Sequence, residues 1–216
     1  MTLRQFGSGG ESAPDQVRRP LAGDAAFCFT SGTLIDTPDG PRPIDDLKTG
    51  DLVSTLDNGS QLLCWVGRRH VSEAEISLNE ALRPVEFAPG VFGNTRVLRV
   101  SPQHRMLLND WRAEVYFGED QVLVPARALV NGTTIRQVLP ESGVNYIILL
   151  FERHEVILAE GSLSESFHPD EDGLAALDQT QRSEILALFP GLALERRRAA
   201  FPIVRPSEAR ALRLSF

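Results

Sequence analysis

The side chains able to make and break bonds are few: two cysteines, Cys28 and Cys64, and four histidines, His70, His104, His154 and His168. Cys64 lies inside QLLCWVG, an apolar run that reads as a buried strand, where a free thiol behaves as a small hydrophobe. Cys28 is placed differently. It follows a polar, glycine-rich stretch and opens CFTSGTLIDT, the first segment with strand character, so it marks the boundary between loose and folded chain. Two cysteines are too few for a disulfide framework and stand at no metal-ligand spacing, so neither a metal nor a cofactor is expected. His104 stands three residues after Ser101, across a turn forced by Pro102. An imidazole with a pKa of about 6.5 exchanges protons near neutral pH, and a hydroxyl donates or accepts. A lone histidine at a strand entrance is ordinarily a satisfied surface group, and the Ser101 hydroxyl would serve equally well to cap the turn. The alternation Ile148, Leu150, Glu152, His154, Val156, Leu158 puts His154 on one strand face among apolar neighbours, suited to structural and chemical duty alike. His70, after Arg68-Arg69, reads as exposed, and His168 closes SESFHP outside any regular pattern; neither is assigned to chemistry.

These residues need a scaffold. From Cys28 onward short apolar stretches alternate with turn signals: TLIDT, then DLVSTL, QLLCWVGRRHV, TRVLRVS, HRMLL, QVLVPA, TTIRQV and the long YIILLFERHEVILA. About ten short strands between tight turns predict an all-β body rather than alternating strands and helices. Asp39-Gly40 and Asn58-Gly59 are hairpin signals, since both central residues of such turns favour positive φ. Residues 1–27, with Gly7, Gly9, Gly10, two prolines and scattered charge, predict a mobile leader. After His168 the period changes. Leu174, Leu177, Ile185, Leu186 and Leu188 recur at helical spacing as far as Pro190-Gly191, and a second short helix is predicted from Ser207 to Leu214, capped by Ser207. Arg196-Arg197-Arg198 reads as a solvated helix edge. The expected division is a leader at 1–27, a β body at 28–169 and a helical extension at 170–216.

The 216 residues carry 22 basic and 29 acidic side chains, a net charge of −7 that argues against nucleic acid as a partner. No apolar run approaches the roughly 20 residues that cross a bilayer, so no integral membrane segment is expected. The amino terminus lacks the basic patch and apolar stretch of a cleavable signal. A soluble protein is expected, cytoplasmic or exported without such a signal.

Taken in order, CFTSGTLIDTPDGPRPIDDLKTGDLV, VSPQHRMLL, GEDQVLVPARALVNG and NYIILLFERHEVILAEGSLSESFHP strongly resemble the bacterial Hint domains, the hedgehog/intein family of self-processing modules. The similarity spans about Cys28 to Pro169, and the C-terminal stretch ending in EARALRL also resembles that subgroup. The resemblance implies an all-β, horseshoe-like fold with pseudo-twofold symmetry, followed here by the short helical tail. It implies that Cys28 is the nucleophile of an N-to-S acyl shift on the Phe27-Cys28 bond, and that Ser101 and His104 match a Thr-x-x-His motif that activates the scissile amide. It also implies that His154 occupies the place of a histidine often found in the penultimate strand. Serine keeps the hydroxyl of threonine but lacks its stiff χ1, so it is positioned more loosely.

The residues permit that chemistry. The Cys28 thiol reaches the Phe27 carbonyl carbon through a five-membered ring, so the attack enjoys a high effective concentration. The difficulty is the leaving amine, because peptide resonance resists twisting with a barrier of about 18–20 kcal/mol. His104 can take the thiol proton and deliver it to nitrogen, while Ser101 can bond the scissile nitrogen or carbonyl. An active Cys28 is expected to lie within about 4 Å of His104 with a lowered thiol pKa, whereas an inert thiol stays near about 8.5.

Full splicing is not expected. The run SLSESF follows Ala159-Glu160-Gly161 where a His-Asn-acceptor sequence would stand, and the last asparagine is Asn145. The substrate is then the chain's own leader, and its thioester partner is water or an external thiol or amine. Two other classes stay open: a degenerate Hint fold acting as an inert binding or structural module, and a cysteine hydrolase acting in trans. The last requires an open cleft beside Cys28, not covered by the chain's own Phe27 peptide.

Overall fold

The computed structural model describes residues 27–193, 198–205, 208, 209 and 212. The short β1 (Phe29–Thr30) is followed by two hairpins, β2 (Leu34–Thr37) with β3 (Gly40–Pro43) and β4 (Leu52–Thr55) with β5 (Gly59–Leu62). The long β6 (Trp65–Val71) leads through helix α1 (Glu73–Leu78) to β7 (Val85–Phe87), β8 (Leu98–Val100) and β9 (Arg105–Leu108). Helix α2 (Trp111–Phe117), β10 (Val122–Pro125), α3 (Ala126–Leu129) and β11 (Ile135–Gln137) come next. Then follow β12 (Val144–Leu150), β13 (Val156–Ala159), β14 (Ser162–Glu165) and the helices α4 (Glu171–Ala176) and α5 (Gln179–Leu188). One sheet has the order β11-β7-β8-β1-β12-β6; the other runs β10-β9-β14-β13-β2-β3, with β4 added on β13 and β5 on β4. The fold is all-β, with a small helical part near its C-terminal end. Among the described residues no helix is long and apolar enough to cross a membrane.

The central strand β12 explains how one molecule holds two cores. Its alternation sends Ile147 and Leu149 into a cluster with Phe29, Phe87 and Ile157, and Tyr146, Ile148 and Leu150 into another with Cys28, Trp65 and Ile185. Burying such a side chain contributes about 1.5–3 kcal/mol, so a strand buried on both faces ties the layers firmly. Helix α5 completes the second core with Ile185, and Trp65 Nε1 donates to Glu184 Oε2 at 2.8 Å.

Several expectations change. The stretch read as one long strand from Tyr146 to Ala159 is two strands in different sheets, because pairing with β6 ends at Leu150 and the chain crosses over before β13. His154 therefore sits in the crossover rather than on a strand face. Cys64 is only partly buried and lies between β5 and β6. The first hairpin turns on Pro38-Asp39, where proline excludes the positive φ expected of that position; the second has the three-residue loop Leu56–Asn58 closing on Gly59 at φ 64. The predicted helix after His168 is broken at Leu177, because the Asp178 carboxylate accepts from the Gln181 N–H and starts α5 afresh. Helix α1 opens with a Ser72/Glu75 capping box, and α2 is capped by Asp110 and ended by the left-handed Gly118. The leader up to residue 26, Arg196, Arg197 and most of the Ser207–Leu214 segment lie outside the described residues. Within that segment Ala209 and Leu212 are buried in the first core.

Gly143, at φ 75, turns the chain into β12, and a Cβ there would run into the carbonyl oxygen of Val71. Gly143→Ala should therefore lower the unfolding free energy by about 2–3 kcal/mol, read as a lower urea midpoint at unchanged slope.

Candidate active site

Phe27 and Cys28 are buried, at 6% and 3% exposure, immediately before β1. That strand is held between β8 and β12, with Phe29 opposite both Val100 and Ile147. The peptide joining Phe27 to Cys28 thus lies in the second core, one residue before Phe29 enters the first. Ser101, fully buried just after β8, grips Cys28 on both sides. Its Oγ accepts the Cys28 N–H at 3.0 Å, and its own N–H donates to the Cys28 carbonyl at 2.9 Å. The turn that follows is tied down in the same manner. His104 N–H donates to the Ser101 carbonyl at 3.1 Å, while the first residues of α3 donate to the His104 and Pro102 carbonyls.

The His104 ring is fully buried and packs edge-on against Phe29, with ring centres 4.4 Å apart. Burial lowers its pKa to about 4, although the Glu165 carboxylate and the Phe27 carbonyl beside the ring both favour the charged form. The imidazole is therefore neutral at pH 7, and neither of its ring nitrogens has a hydrogen-bond partner among the described residues. The Cys28 thiol packs in the cluster that contains Tyr146 and Trp65. Burial pushes its pKa well up, only partly offset by Arg69. The lowered thiol pKa expected of an activated cysteine is absent, because an apolar surround penalises the thiolate.

Behind His104 lies a group of charges. Glu165, with no exposure, accepts from the Arg105 main-chain N–H at 2.8 Å and from its guanidinium at 3.1 Å. His154 Nε2 stands 3.2 Å from Oε2, the carboxylate oxygen that also meets the guanidinium, and the His154 and His168 rings stack with centres 4.5 Å apart. Arg105 also faces Asp170 at 3.8 Å and lies over the Phe27 ring at 4.2 Å. Burial opposes ionisation of Glu165, but Arg105 and His154 outweigh it and hold the carboxyl below its ordinary range.

Of the residues singled out in the sequence, Phe27, Cys28, Ser101 and His104 meet at one peptide bond. His154 joins them through Glu165 and not by touching that bond. The sequence reasoning missed Arg105, Glu165 and His168. A usable signal existed for the first two: each is a charged residue in a stretch that is otherwise buried, RMLL and SLSE, and charges at inward positions of two strands require each other.

The Hint domain family model matches residues 27–171. No curated protein sequence matches the chain. Among solved structures, the bacterial intein-like domain from Clostridium thermocellum is similar at 13% identity and a TM-score of 0.46, covering 65% of this chain and 98% of that one. The MchDnaB-1 intein is similar at 12% identity and a TM-score of 0.43, covering 64% and 98%. A glutathione-linked, splice-inactive variant of the AceL NrdHF class 3 split intein aligns at 15% identity and a TM-score of 0.44, covering 64% and 96%.

The buried imidazoles set a pH dependence. His104 and His168 have pKa values lowered to about 4, chiefly by burial, against about 6.5 in an unfolded chain. Between those values the unfolded chain binds more protons, so stability rises with pH and is lost on acidification. The urea midpoint should fall steadily from pH 7 to pH 4, with protonation of Glu165 adding to the loss at the acid end. A midpoint unchanged between pH 7 and pH 5 would contradict neutral burial of these rings.

Proposed function

Because this chain belongs to the Hint domain family, the fold of self-processing domains, we propose that it cleaves its own Phe27-Cys28 bond by an N-to-S acyl shift, without full splicing. The observation that carries this reading is the grip on one peptide: its nitrogen donates to Ser101 Oγ at 3.0 Å, and the neutral ring of His104 is buried close by, packed on Phe29. In the shift, Cys28 Sγ bonds to the Phe27 carbonyl carbon, the C–N bond breaks, and the thiol proton ends on the Cys28 nitrogen. A neutral imidazole beside the peptide can carry that proton, accepting before it donates. Ser101 Oγ fixes the plane of the amide while the five-membered ring closes. Water then splits the thioester, leaving a carboxylate on Phe27 and restoring the thiol; an external thiol or amine would take the acyl group instead. Residues 1–27 are then the substrate, 28–169 the reacting body and 170–216 its extension.

The raised thiol pKa favours a second reading, an inert Hint fold kept for binding or structure. Trans hydrolysis has little support, since Cys28 is buried at 3% exposure and Phe27 beside it at 6%. Intact-mass measurements with and without added thiol separate the readings. The wild-type chain should lose the mass of its leader, Cys28→Ala should not, and His104→Ala should be slowed by at least about 100-fold. Ser101→Ala should cost about ten-fold, the scale of one lost hydrogen bond to a buried group. Release should also quicken from pH 7 to pH 9, because the thiolate fraction grows about ten-fold per unit below a raised pKa. A wild-type chain that keeps its full mass in thiol overturns self-cleavage.

A further inference from the structure

His154 has a partner that the body of the domain does not supply. Its Nδ1 accepts the main-chain N–H of Ala200 at 3.1 Å, from a segment 46 residues further along the chain. Ala200 is itself exposed, so its amide has water available, yet it is directed at a buried ring nitrogen. What directs it is the pairing of the residues that follow. Pro202 accepts from Leu123 N–H at 2.8 Å, Val204 N–H donates back to the Leu123 carbonyl at 3.0 Å, and Ile203 forms a parallel bridge with Leu123 of β10. Phe201 packs on the small cluster of Leu107, Leu123 and Val156, and Val204 is buried in the first core.

An imidazole nitrogen that accepts a hydrogen bond carries no proton, so the ring proton must lie on Nε2. That atom is the one 3.2 Å from Glu165 Oε2. The opposite tautomer would set N–H against N–H at Ala200 and a lone pair against the carboxylate at Glu165. We propose that residues 198–205 are part of the site, with the Ala200 N–H fixing His154 as the Nε2–H tautomer, so that the nitrogen bearing the proton is the one that faces the Glu165 carboxylate across 3.2 Å. Glu165 in turn holds Arg105, the neighbour of His104, and its charge supports proton uptake by His104. Ala200 is a positioning group and touches no reacting atom. Its effect on cleavage rests on the self-processing reading; its effect on the tautomer does not.

Nitrogen NMR of histidine-labelled full-length protein tests this with two variants. Ala200→Pro removes the N–H at an exposed position, and Ala200→Gly retains it. In the wild type and in Ala200→Gly, His154 should show a protonated Nε2 and an unprotonated Nδ1, and the Ala200 amide should be protected from hydrogen exchange. In Ala200→Pro the tautomers should mix, and leader release should slow about five- to ten-fold relative to Ala200→Gly. A wild-type His154 with its proton on Nδ1, or a rapidly exchanging Ala200 amide, overturns the proposal without reference to any variant. An Ala200→Pro protein that keeps the Nε2–H tautomer, or changes it and cleaves like Ala200→Gly, overturns it too. If no form of the chain cleaves, self-processing fails, and the tautomer and exchange measurements decide the role of the segment on their own.

Discussion

A carboxylate without access to water has to be met by donors from every side, and the arrangement of the site follows from how Glu165 is met. The pairing of β14 with β9 sets Ser164 opposite Met106, which brings Glu165 to the start of β9 and within reach of both the main chain and the side chain of Arg105. Removing one partner of such a buried pair costs about 3–5 kcal/mol, so neither residue is free to vary alone. Arg105 then has its guanidinium over the Phe27 ring, and His104 comes before it in the chain. A charge requirement inside a sheet thereby dictates where the imidazole and the residue ahead of the scissile bond must lie.

The second determinant is that both residues of that bond pack in one core while the next residue packs in the other. Cys28 packs in one and Phe29 in the other, as alternating side chains of an extended chain must. This accounts for two features at once: the backbone is held as firmly as any strand, and the sulfur is surrounded by apolar groups that keep it protonated. Order at the peptide and reluctance at the nucleophile have the same origin.

How much of this was legible in the sequence depended on whether the information was local. Cys28, Ser101 and His104 stood out because their chemistry and spacing resemble a known pattern, and the all-β character was written in period-two runs and turn residues. The capping box at Ser72 and Glu75 is equally local, but the helix it opens is only six residues long and stands among strand-like runs. The crossover at Phe151–Glu155 left a trace, four consecutive polar residues from Glu152 to Glu155 between apolar runs, but it was hard to read as a break because so short a polar stretch also fits a strand with one solvated face. Glu165 and His168 were hidden for a different reason: their significance lies in residues some sixty positions away or stacked from another element, which no window of sequence displays.

The segment from Pro202 to Val204 has a meaning beyond its link to His154. β10 is the last strand of its sheet, and an unpaired outer strand presents a row of backbone donors and acceptors to which another chain can add. By bonding to Leu123 in both directions, the end of the chain blunts that edge. Detachment of these few residues would leave a molecule with the same interior but an adhesive border, and its first consequence would be self-association.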